Sequence, residues 1–285
     1  MTFLKWNLRK TVAAAAAAVM VVGVLSGCGN SAAAGESGVQ VVRVGVGNAW
    51  APYDYVDENG KPAGYEVEVL RKIDEKLPQY QFDIQPSAFE TLLVSLDAGK
   101  LDLIAHTWRL NEKRKAKYNY TKQSDLRSVV RIITAKDNKT EYNSIADFAG
   151  HSVYAAAGEA TSQQMEEYNR QHPDDPIKIV YANANVTTEQ RYTALAEGKI
   201  DAWYCPEPVL NDMNKNFGGG LKAVGKPLEQ KNTVFFTQKG EKQTQLTDAI
   251  DDALKQLRAD GTLKQLSEQY LGGDFSQQLS ASEEY

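Results

Sequence analysis

Residues 41–46 (VVRVGV) are β-branched and alternate in character, which predicts a strand. Over residues 64–77, Val67, Leu70, Ile73 and Leu77 recur at helical spacing, and Pro78 supplies the stop. A second strand is expected at 80–85, a helix at 90–98 closed by Gly99, and a third strand at 101–105. The order then restarts: a short helix at 145–148, a strand at 151–156, a helix at 160–170, a strand at 177–180, a helix at 187–197 and a strand at 201–205. The helix–Gly–Lys–strand units around Gly99 and Gly198 lie ninety-nine residues apart, in the same element order, and read as equivalent pieces of two similar lobes. Strands alternating with helices imply an α/β architecture, each lobe a sheet flanked by helices. Extended segments at 127–135 and 233–238 are placed to carry the chain between lobes as two hinge crossings. The helical stretch 241–270, broken at residues 260–262 (DGT), returns to the first lobe. The expected division is residues 40–129 plus 236–275 for lobe 1, residues 130–235 for lobe 2, and a disordered tail at 276–285.

The first residues follow a different pattern. Lys5, Arg9 and Lys10 precede an apolar run at 11–24 that suits a signal-peptide core and is short for a membrane span. It ends in LSGC, residues 25–28, which resembles the bacterial lipoprotein cleavage box. Residues 1–27 are therefore expected to be removed and Cys28 lipidated, and the small polar stretch up to residue 39 is expected to act as a tether. The removed segment carries no acidic residue, so the formal net charge moves from −5 to −8. Such a domain is a poor candidate for nucleic acid or an anionic membrane surface. With Cys28 consumed, Cys205 has no partner for a disulfide. His106, His151 and His172 show no metal-ligand spacing, and no cofactor motif is present.

Ligands of open α/β sheets bind beyond the carboxyl ends of the strands. That rule selects four loops, at 47–53, 106–109, 157–161 and 205–207, two from each lobe around one cleft. The segments APYDYVDENGKPAGYEVEVL (51–70), DLIAHTWRLNEKRKAKYNYT (102–121), GHSVYAAAGEATSQQM (150–165) and GKIDAWYCPEP (198–208) occupy these places. In that order they resemble the bacterial extracellular solute-binding proteins of family 3, the substrate-binding lipoproteins of polar amino-acid ABC transporters. The resemblance covers about residues 40–275. It implies a two-lobed fold of the type II periplasmic-binding-protein kind that closes on an amino acid by hinge motion.

Site roles follow from the resemblance. Trp50 and Phe89 fall where aromatic rings sandwich the ligand. Arg114 falls where an arginine clamps the α-carboxylate, although NEKRKAK alone reads as a solvated charge run. His106, Thr107 and Arg109 match contacts on the same wall, where relatives carry small hydroxyl or amide residues. Arg109 is either a second cation aimed at an acidic or two-carboxylate ligand such as cystine, or the partner of Glu112 or a nearby aspartate. In the second lobe, Gly158, Glu159 and Ala160 sit on the loop that usually offers hydroxyls and backbone N–H groups. Pro206 stands where many amino-acid binders have an aspartate for the α-ammonium, and Glu207 is the nearest substitute. The expected partners are an amino-acid ligand, the ABC permease subunits and, through the lipid, the outer face of the cell membrane, with the protein a monomer without a catalytic residue. The fold also resembles periplasmic dehydratases and receptor sensors, which leaves an acid–base enzyme and a ligand sensor as alternatives.

Overall fold

The computed structural model describes residues 38–155, 160–181 and 186–285. The signal segment, Cys28 and the tether up to residue 37 lie outside the described residues, as do Gly158 and Glu159. Strand β1 (Gln40–Gly47) is followed by three short strands, β2 (Ala49–Trp50), β3 (Asp54–Val56) and β4 (Pro62–Ala63), which pair antiparallel as a small separate sheet. Helix α1 (Tyr65–Lys76), β5 (Tyr80–Ser87), α2 (Phe89–Asp97), β6 (Leu103–Ile104), α3 (Glu112–Lys117) and β7 (Asn119–Tyr120) complete the first run. Val42, Val44 and Val46 are fully buried on β1, an interior strand of its sheet, parallel to β5 on one side and β6 on the other.

The second run is β8 (Arg127–Ala135), a 3-10 turn at Ile145–Phe148, β9 (Ser152–Ala155), α4 (Ala160–Gln171), β10 (Lys178–Tyr181), α5 (Thr188–Ala196) and β11 (Ala202–Pro206). Helix α6 (Glu207–Phe217) and β12 (Leu221–Asn232) follow, then β13 (Phe236–Thr237), α7 (Glu241–Ala259) and α8 (Thr262–Leu271). Two five-stranded mixed sheets result, in the orders β5-β1-β6-β13-β7 and β10-β9-β11-β8-β12. In the first, β13 runs antiparallel to β6 and β7; in the second, β8 runs antiparallel to β11 and β12. Helices α7 and α8 pack back on α1.

The internal duplication extends to side chains. Gly99 and Gly198 each take a left-handed conformation just past a helix end (φ 66° and 69°), which glycine adopts without steric cost. Three residues on, Asp102 Oδ2 accepts from the Arg43 backbone N at 2.9 Å, and Asp201 Oδ2 accepts from the Ser152 N at 2.8 Å. Each aspartate ties the start of one strand to a parallel neighbour, β6 to β1 in the first lobe and β11 to β9 in the second.

The lobes are joined where β8 and β12 run side by side from Arg127↔Asn232 to Ala135↔Leu221, with a bulge between Val224 and Glu229. The segment at 276–285, expected to be disordered, is instead bonded along these crossings. Gln230 and Tyr285 exchange two backbone hydrogen bonds at 3.0 and 3.1 Å. Leu279 N donates to Asn232 Oδ1 at 2.9 Å, and Asn232 Nδ2 returns a bond to Leu279 O at 2.8 Å. Polar composition alone suggested a free tail; exposed backbone on the hinge strands gives it partners. Among the described residues no helix is long and apolar enough to cross a membrane.

Candidate functional site

Strands β1 and β6 end side by side, and the loops leaving them carry the wall of the cleft. Gly47 closes β1. A Cβ there would come within 2.4 Å of the His106 ring, so its absence admits the imidazole against the sheet end. His106 Nδ1 then lies 2.8 and 2.9 Å from the two oxygens of Asp54, a fully buried carboxylate that also accepts from Gly47 N at 2.6 Å. This partner fixes the orientation of the imidazole.

The next residue is held from below. Thr107 is the one non-glycine described residue with positive φ, at 46°. Its N–H donates to both oxygens of Glu66 at 2.8 and 2.9 Å. Glu66 is fully buried on α1, and burial raises its pKa well above the ordinary carboxylate value, with Asp125 and Asp54 adding to the shift. A strained backbone persists only where its surroundings over-determine it, and Glu66 supplies that restraint.

The aromatic residues form a continuous wall. Phe89, the first residue of α2, has its ring centroid 5.2 Å from His106 and stacks on Trp108 at 5.3 Å. Trp50 is half-buried, stacks on Tyr53 at 6.0 Å and stands 6.5 Å from His106. The Arg114 guanidinium lies 4.7 Å over the Trp108 ring, and its Nη1 donates to Arg109 O at 2.8 Å. The residues of NEKRKAK form α3, a six-residue helix capped by Asn111, and Arg114 is turned toward Trp108. Trp50, Phe89, His106, Thr107 and Arg114 are thus brought together on one wall.

Arg109 finds a carboxylate on β12. Its Nη1 pairs with Glu229 of β12, not with Glu112, and Thr233 bridges its backbone. Tyr204 lies close to this pair. Burial pushes its phenol pKa up, Glu229 adds to the shift and Arg109 opposes it. In the second lobe, Pro206 ends β11 as the cap of α6, and Glu207 opens that helix. The Glu207 carboxylate accepts from Arg131 Nη1 at 3.2 Å, so its charge is met within the lobe. Ala160 begins α4.

The lobes meet at Tyr53. It is completely buried, its hydroxyl has no hydrogen-bond partner among the described residues, and its pKa is raised first by burial and next by Cys205 of β11. The sequence alone assigns no role to Tyr53, Asp54, Glu66, Trp108 or Glu229. The apolar Trp108 beside a polar cluster was a usable signal; the buried acids were not, because their partners are distant in sequence.

Asp125 sits behind this wall at the start of the crossing, accepting from Thr233 Oγ1 at 2.6 Å. Burial pushes its carboxyl up to about 6, against opposing hydrogen bonds, the largest from Thr233. A folded pKa above the unfolded value of about 4 means that the fold favours the protonated form. Its stabilising contribution is full below pH ~4 and is lost as pH rises through ~6, on the order of 2–3 kcal/mol. Asp125→Asn keeps the acceptor for Thr233 and should flatten the fall in melting temperature between pH 4.5 and 7. Melts of the variant that keep the wild-type slope would remove Asp125 as its source.

Among the described residues no group of three His, Cys, Asp or Glu side chains is placed to hold a metal ion. Residues 42–273 match the family model of the bacterial extracellular solute-binding proteins, family 3. The chain is similar to the L-cystine-binding protein TcyK of Bacillus subtilis, 32% identical over 263 residues that cover 90% of this chain and 94% of that protein. It is 33% identical to TcyJ, an L-cystine-binding protein of the same organism, over 88% of this chain and 91% of the relative. Among solved structures, a Streptococcus mutans chain from work on glutathione import via GshT and the cystine ABC importer TcyBC superposes with TM-score 0.74. It is 24% identical, covering 84% of this chain and 98% of that one, and is a likeness of fold.

Proposed function

The chain belongs to the bacterial extracellular solute-binding proteins of family 3, and on that premise we propose that it captures L-cystine outside the cell and delivers it to an ABC permease. It is an amino-acid-binding protein of an ABC transporter and not an enzyme, as its relatives are. The finer reading is that a lipid on Cys28 tethers it as a monomer to the outer face of the membrane. On that reading the β8 and β12 crossings let the two lobes close on the ligand.

The observation that carries the choice of ligand is the wall formed by Trp50, Phe89, Trp108 and Arg114. A guanidinium presents two parallel donors to a carboxylate, which matches the end group of an amino acid. Aromatic rings favour polarisable sulfur by about 0.3–1.5 kcal/mol per contact, which suits a disulfide lying between two zwitterionic ends. The names of the two Bacillus relatives support the same ligand. A basic amino acid fits less well, because Glu229 and Glu207 are each already paired with an arginine.

Thermal shift and calorimetry with L-cystine, L-cysteine, glutathione, glutamate and arginine test the proposal. Cystine at a thousand times its dissociation constant should add about 4 kcal/mol, or roughly 8–16 °C for a chain of this size. Tighter binding of arginine or glutamate than of cystine would overturn the ligand assignment.

A further inference from the structure

A ligand with two carboxylates needs a second cation, and the obvious one is occupied: Arg109 is paired with Glu229. In the second lobe Arg131 is likewise bonded to Glu207 and to Gly225 O. Arg191 differs from both. It is the fourth residue of α5, one turn into a helix whose start is fixed by the Thr187–Gln190 capping box. Helix α5 follows β10 in the chain and so starts on the carboxyl side of that strand, the side on which open α/β sheets bind their ligands.

The Arg191 guanidinium lies 5.7 Å over the Trp203 ring. Trp203 meets Tyr154 edge-on at 6.3 Å across the β9–β11 pairing. Cys205, two residues further along β11, points to the same face of the sheet and lies within electrostatic reach of both Arg191 and Tyr53. Tyr53 in turn stacks on Trp50, so the line from Arg191 runs across the lobe boundary to the aromatic wall. The side chain is half-buried, its Nε is buried without a hydrogen-bond partner, and no carboxylate pairs with it among the described residues. Leaving a buried donor on a charged group unmade is costly, and a ligand carboxylate is the group that would meet it.

We propose that Arg191 is the second-lobe cation that receives the distal carboxylate of the bound amino acid, while Arg114 receives the proximal one. The inference rests on the cystine reading above. It makes Arg191 the residue that separates two-carboxylate ligands from single amino acids and adds a reason for the lobes to close, since each holds one end of the ligand. The Trp203 ring beneath it helps to hold the guanidinium in place for the ligand.

A two-by-two comparison tests it, using calorimetry on the full chain purified in detergent. The proteins are wild type and Arg191→Gln; the ligands are L-cystine and its monomethyl ester, which keeps one free carboxylate. In wild type, esterification should weaken binding about 30-fold, and Arg191→Gln should weaken cystine binding by a similar factor. In the variant, esterification should change affinity less than about threefold, because the partner of that carboxylate is gone. Arg191→Lys should recover part of the cystine affinity. Ester binding of similar strength in both proteins also shows that the variant is folded. Losses that multiply, or a variant that binds cystine as wild type does, overturn the assignment of Arg191 alone. Wild-type protein that takes no cystine overturns the cystine reading and this inference with it.

Discussion

Arg114→Ala is expected to reduce ligand affinity by a factor of about 100 to 1,000, and Arg114→Lys by about 10 to 100. The alanine variant leaves a carboxylate desolvated in the cleft without its partner, which costs about 3–4 kcal/mol. Lysine restores the charge and not the geometry: a point ammonium cannot make the two parallel bonds of the guanidinium fork. The plane of that fork is set before any ligand arrives, by the Trp108 ring 4.7 Å beneath it and by the bond from Nη1 to Arg109 O. A preorganised donor pair keeps more of its interaction energy as affinity than a flexible side chain does. Calorimetry with L-cystine measures the loss, and melts without ligand check the fold. Arg114 is partly exposed on a six-residue helix, so its removal should lower the ligand-free melting temperature by no more than a few degrees. Equal affinities for wild type and both variants would remove Arg114 from the site.

The wall that holds Arg114 was legible in part. Alternation at 41–46, helical spacing at 64–77 and the repeat around Gly99 and Gly198 each express a local preference that the tertiary structure reinforces, so the paired α/β units could be read directly. The equivalence reaches Asp102 and Asp201, which perform the same strand-tying task ninety-nine residues apart. Strand β12 was not legible, because Gly225, Lys226 and Pro227 interrupt it; it is extended because β8 offers a partner along its length and the bulge absorbs the interruption. Helix α6 was missed for a similar reason, since the prolines at 206 and 208 read as breakers when they are in fact the cap and the second helical position.

Within the site, residue types were easier to read than partnerships. Trp50, Phe89, His106, Thr107 and Arg114 do converge, yet the groups that orient them come from afar: Asp54 is 52 residues from His106, and Glu66 is 41 from Thr107. One sequence carries no distances, so the charge of Arg109 could be recognised while Glu229, 120 residues away, could not. Arg191 carries no signal in the sequence, and only the fold lays it over Trp203.

The long-range partner behind the wall also sets the largest stability effect expected here. Phe236→Ala should destabilise the protein by about 3–5 kcal/mol and lower its melting temperature by roughly 6–20 °C. Phe236 is fully buried on β13, where the returning chain is inserted between β6 and β7. Its ring lies 6.1 Å from Trp108 and 5.5 Å from Tyr118, in a cluster with Leu92, Leu96, Leu101 and Ile104. Truncation would leave a void at the meeting point of three strands that are not neighbours in sequence, where backbone hydrogen bonds limit collapse. Val94→Ala on the exposed face of α2, at 65% exposure, is the matched control and should change stability by less than about 0.5 kcal/mol. The same truncation withdraws support from one edge of Trp108, whose face carries Arg114, so cystine affinity should also fall, by about threefold to tenfold. Melting curves and calorimetry on the two variants separate these effects. A melting temperature for Phe236→Ala no lower than that of Val94→Ala would show that β13 is not needed to hold the first lobe together. A lowered melting temperature with unchanged affinity would show that Phe89 and His106 hold Trp108 without Phe236.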